Sequence, residues 1–74
     1  MTYTPTASEF YDSIVNIYGS HAHDKMKNGE EDAEVQDWLL DQGEGLGMDN
    51  GMTEEHWESI KDGVYENICA GFNN

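Results

Sequence analysis

The sequence predicts an all-α domain of three helices. Three observations carry that expectation. Apolar residues recur at spacings of three and four, the period of a helix, and no stretch alternates apolar and polar with the period of a strand. Residues suited to capping stand just ahead of each periodic run. Glycine and asparagine gather between the runs, and a glycine-rich stretch at residues 43–52 predicts a loop between helices 2 and 3. Nothing repeats internally. A chain of 74 residues has room for one core, so residues 1–74 read as a single acidic helical domain.

Helix 1 is expected at about residues 7–26. Thr6 followed by Glu9 is a capping box, in which each side chain satisfies a free backbone donor of the other residue. Residues placed about 100° apart put Phe10, Ile14, Ile17 and Tyr18 on the inner side with Tyr11, Val15 and Ala22. Glu9, Asp12, Asn16, Ser20 and His23 fall on the outer side. Gly19 costs about 1 kcal/mol inside a helix, but the apolar pattern runs through it.

Helix 2 is expected at about residues 29–42. Asn28 with Glu31 forms a second capping-box pattern, and Glu30, Glu31 and Asp32 fill a first turn, where carboxylates favour the positive end of the helix dipole. Val35, Trp38, Leu39 and Leu40 supply its apolar residues, and Gly43 is its expected stop. In the loop that follows, Leu46, Met48 and Met52 should tuck back onto the core, and Asn50-Gly51 reads as a type I′ turn. Helix 3 is expected at about residues 54–71. Thr53 caps it, Glu54 and Glu55 occupy its first turn, and Trp57, Ile60, Val64 and Ile68 form its buried stripe, which Phe72 extends. Gly63 is placed to permit close approach of another helix.

Composition narrows the function. Hydrophobic residues make up 36% of the chain, which is low for a globular domain, but the aromatic content of 11% is high for a disordered one. Sixteen acids stand against three lysines, for a net charge of -13. Such a field repels phosphate backbones and anionic membranes, which excludes direct binding to nucleic acid or membrane as the expected activity. No apolar run nears the roughly 18 residues of a membrane span. The first residues lack the basic-then-apolar pattern of a secretory leader, and the lone Cys69 suits a reducing compartment, so the expected location is cytoplasmic. A domain this small holds only about 3–5 kcal/mol of stability, and charge repulsion subtracts from it. Oligomerisation or salt is the expected support.

The charge is local. Residues 1–29 hold three acids and two lysines, whereas residues 30–66 hold thirteen acids and only Lys61. Glu30, Glu34, Asp37 and Asp41 form one row on helix 2, and Glu58, Asp62 and Glu66 a second on helix 3, at helical spacing. Like charges so spaced repel by a few tenths of a kcal/mol per pair, and Lys61 alone is available to relieve them. Four residues of helix advance about 6 Å, and duplex phosphates advance about 3.4 Å per step along the axis. A rigid carboxylate row can therefore present a phosphate-like pattern to a basic groove. In charge and size the chain is similar to small phage inhibitors that block nucleic-acid enzymes by DNA mimicry, though no motif carries that similarity.

The expected function is accordingly non-enzymatic: an acidic interaction or inhibitor protein whose seven row residues meet a basic protein surface. A rival expectation is a structural or oligomerisation module whose acidity serves only solubility. Another is a metal-responsive binding protein using His21, His23 or His56. On a helix, however, His21 and His23 point about 200° apart and cannot share one ion, so no metal site is assigned. His21 is expected to be half-buried and His23 exposed. Asp49-Asn50-Gly51 opens like a calcium loop but lacks the closing carboxylate at the twelfth position. No phosphate loop, nucleophile elbow or paired Cys and base is present, and no cofactor is implied. A domain of this size also leaves little room for a pocket of roughly 300 Å³.

Overall fold

A computed structural model describes residues 2–72. Helix α1 spans Ala7–Lys27, α2 Asp32–Asp49 and α3 Glu54–Phe72, with no strand among the described residues. The two short connections fold each helix back on the one before, and every helix packs against both others. The bundle measures 39 × 19 × 16 Å.

Phe10 is the centre of the packing. It is fully enclosed, meets the ring of Trp57 edge-on at 5.9 Å, and takes the edge of Tyr3 at 6.0 Å from the segment ahead of α1. Ile14 and Ala22 from α1, Val35 and Leu39 from α2, Met52, and the α3 stripe of Trp57, Ile60, Val64 and Ile68 complete the core. Tyr11, Tyr18, Trp38, Leu40 and Phe72 pack half-buried around it, as do Leu46 and Met48. Two predicted inner residues of α1 are instead exposed, Val15 at 41% and Ile17 at 49%. They sit on the two flanks of the Phe10–Ile14–Ala22 stripe, which is narrow enough to bury alone.

The capping box is present: the Glu9 amide donates to Thr6 Oγ1 at 3.2 Å, and the Thr6 amide donates to Glu9 Oε1 at 2.9 Å. Thr53 caps α3, with its Oγ1 accepting from the His56 amide at 3.1 Å. Helix α1 continues unbroken through Gly19.

The main departure lies between residues 43 and 49. The expected loop is helix, because α2 does not stop at Gly43 but runs to Asp49. The reason is tertiary. Gly43 and Gly47 lie one turn apart, buried against α1, and a Cβ at Gly43 would stand 2.6 Å from Ile14 Cδ1. At Gly47 it would stand 3.0 Å from Met52 Sδ and 3.3 Å from Phe10 Cζ. The glycines let α2 lie close enough to enclose Phe10 and Ile14, and the burial gained offsets the roughly 1 kcal/mol per residue that glycine costs a helix. Gly63 works likewise on α3, where an added Cβ would meet the Ala7 Cβ at 2.9 Å.

Both Asn-Gly pairs end helices by one device. After α1, the Gly29 amide donates to the Met26 carbonyl and the Glu30 amide to that of Lys25. After α2, the Gly51 amide donates to Met48 and the Met52 amide to Gly47. These are Schellman motifs, and the two glycines carry φ of 92° and 93°, a region that L side chains rarely adopt. Asn28 therefore closes α1 and does not open α2, whose N-cap is Glu31 without a side-chain cap hydrogen bond. Asn50 has φ -98°, so Asn50-Gly51 is not a type I′ turn.

Candidate functional site

The acidic residues occupy the outward sides of α2 and α3. Glu34, Asp37 and Asp41 are exposed on α2, and Glu58, Asp62 and Glu66 on α3. Glu30 does not belong to the α2 row. It lies in the connection before the helix, 3.7 Å from Lys25 Nζ. Glu44, placed by the sequence reading in a loop, replaces it: with α2 extended, Glu44 stands three residues past Asp41 on the same side and is exposed. The spacing of three from Asp41 was the available signal, and the glycines on either side obscured it.

The two rows flank the seam between α2 and α3. Lys61 of α3 lies in that seam. Its ammonium is held above its ordinary range first by the hydrogen bond and charge of Glu58, at 2.8 Å, and then by Asp62 and by Glu44 across the seam. Tyr65, one turn on, is also raised, by its neighbour Cys69 and by Asp37 of α2. Lys61 relieves the α3 row locally, as expected. Lys25 lies outside the rows: it pairs with Glu30 and sits 4.9 Å above the Trp38 ring, which itself meets Tyr18 edge-on at 6.0 Å. Lysine pairs this exposed hold their acids weakly, so the rows keep their negative field.

The titratable residues outside the rows are scattered. His21 is exposed rather than half-buried, and His23 is exposed as expected. His56 is half-buried and its Nε2–H donates to the Pro5 carbonyl at 2.7 Å, tying the N-terminal segment to α3. Among the described residues no three His, Cys, Asp or Glu side chains gather where they could hold a metal ion. Among the described residues, too, no helix is long and apolar enough to cross a membrane. Cys69 is half-buried beside Tyr65. One apolar groove of about 260 Å³ runs between α1 and the end of α3. A wider and more polar hollow follows the segment at residues 2–5.

No known protein family matches this chain, and no curated protein or solved structure was found to be similar to it.

Proposed function

We propose that the protein is a non-enzymatic interaction protein that docks its acidic α2–α3 surface onto a basic surface of another protein. The observation that supports the reading is the pairing of two carboxylate rows, Glu34–Asp37–Asp41–Glu44 and Glu58–Asp62–Glu66, along one helix seam with Lys61 as the cation lying in it. Rows on rigid helices hold charges at fixed spacing, whereas flexible acids would lose entropy on docking. Charges so arranged steer association and make it fall steeply with salt. A groove that binds nucleic acid is the basic surface that this spacing suits best, which makes the protein a DNA mimic and an inhibitor by occupancy, of the kind phage accessory proteins provide.

The test uses the immobilised protein and a lysate of the organism that carries the sequence. The reading expects capture of a nucleic-acid-binding protein at low salt and its elution by duplex DNA. The double variant Glu34→Lys/Asp37→Lys should capture nothing while keeping its helicity by circular dichroism. Equal capture by the variant, or none by the wild type, would overturn the proposal and leave the acids as a solvated face.

A further inference from the structure

Apolar surface remains uncovered on α1, away from the acidic rows. Among the described residues no helix covers one flank of the second half of α1, and a groove of about 260 Å³ opens there. Val15, Gly19 and Met26 of α1 form one wall, and Ile68 and Phe72 of α3 form the other, with Leu39 at the floor. Val15 is 41% and Met26 39% exposed, large fractions for such residues in a core this small. These α1 residues lie within about 40° of one another around the helix axis, so they make a single stripe. Gly19 at its middle presents bare backbone: an added Cβ there would touch only the Val15 side chain of its own helix.

We propose that this groove is covered by the same groove of a second copy, α1 against α1 in antiparallel order, crossing near Gly19. Charge selects that occupant. The charge around α1 is near neutrality, with Glu9, Asp12 and Asp24 against Lys25 and Lys27, and residues 67–74, which include Ile68 and Phe72 of the other wall, carry none, whereas residues 30–66 carry thirteen acids and one lysine. A self-contact through the outward faces of α2 and α3 sets carboxylate row against carboxylate row. Charge also selects the orientation. The acids Glu9 and Asp12 lie in the first half of α1, and Lys25 and Lys27 in its last turn. Asp12 and Lys27 flank the apolar stripe on the same side. They stand about 10 Å and about 12 Å from Gly19 along the axis, so a two-fold crossing there brings each Lys27 level with the partner's Asp12, twice over. The two helix dipoles then oppose, which also favours the antiparallel order.

Each copy still carries a charge of -13, so the pair forms against a net repulsion that salt screens. Self-association should therefore tighten as salt rises, whereas docking to a basic partner weakens. The two readings stand or fall separately. Sedimentation equilibrium of the full chain, from about 0.05 M to about 0.5 M NaCl, should show a shift from monomer to dimer. Val15→Glu/Met26→Glu should remain monomeric throughout with unchanged helicity. Asp12→Lys and Lys27→Glu should each weaken the dimer about tenfold, and the double exchange should restore it. A monomer at every salt concentration, or a dimer that survives Val15→Glu/Met26→Glu, would overturn the proposal. Exchange variants without mutual rescue would overturn the antiparallel crossing at Gly19.

Discussion

Helix α1 and the α2–α3 pair bury similar faces and expose opposite ones. Inward, each helix contributes two or more fully or nearly fully enclosed apolar side chains to one core around Phe10. Outward, the first 29 residues carry two lysines against three acids, while residues 30–66 carry thirteen acids and one lysine. Folding explains the inward likeness. It does not explain the outward difference, because the same core would form beneath mixed charge, with less repulsion. The excess acid is thus a feature that stability alone would remove, and it is confined to residues 30–66.

The largest expected effect removes the shared core. Phe10→Ala empties the point where Tyr3, Trp57 and the two buried glycines of α2 converge. A loss of about 3–5 kcal/mol matches all the stability that a domain of this size holds, so the variant should lack a cooperative thermal transition. Next come the glycines of α2, which separate close packing from helix propensity. Gly43→Val should cost about 2 kcal/mol by pressing on the enclosed Ile14. Gly45→Ala, with nothing near its added Cβ, should gain up to about 1 kcal/mol. Urea denaturation distinguishes them, and a loss at both positions would contradict the account of why α2 continues.

Smaller effects address the outward faces. Glu34→Lys/Asp37→Lys should raise the thermal midpoint at low salt, by roughly 1 kcal/mol in stability, and the gain should fade in about 1 M NaCl. Asn16→Lys/Ser20→Lys, on the outer side of α1, should change it less. The most local effect is at the start of α1. Thr6→Ala should cost about 1 kcal/mol. The backbone and side-chain hydrogen bonds from Thr6 hold the Glu9 carboxyl below its ordinary range near 4.5. A group depressed in the folded state stabilises above its unfolded pKa and loses that contribution as pH falls through the folded value. The difference between wild type and Thr6→Ala should therefore shrink as pH falls below about 4.5, in thermal melts across that range.

Much of the fold was legible because its signals are local. The Thr6–Glu9 box, the Thr53 cap and the Trp57–Ile60–Val64–Ile68 stripe each lie within a few residues and need no knowledge of the rest. The end of α2 was not legible in the same way. Gly43 and Gly47 look like breakers until Phe10 and Ile14, some thirty residues earlier, are placed against them. Asn28 could cap either helix by type, and only the positive φ of Gly29 assigns it to α1. The candidate surface shared that fate. Local spacing identifies the α3 row in full but shifts the α2 row by one place, with Glu30 in and Glu44 out, because a helix that stops at Gly43 starts too early and ends too soon. That Glu44 and Asp37 reach α3 residues across the seam is a tertiary fact, which no single-helix spacing contains.

One measurement bears most directly on the claim that the acidic side is a docking face. The affinity of the captured partner can be titrated calorimetrically at one low salt concentration for three proteins: wild type, Glu34→Lys/Asp37→Lys and Asn16→Lys/Ser20→Lys. The α2 variant shifts the formal charge by four units and the α1 variant by two, so net attraction alone would give the α1 variant about half the loss of the α2 variant. The account predicts that the α2 variant loses at least about 3 kcal/mol of binding, roughly a hundredfold, while the α1 variant stays within a few-fold of wild type. A loss in the α1 variant about half that of the α2 variant, or larger, would contradict it, because the partner would then sense the protein's net charge and not the face that carries it.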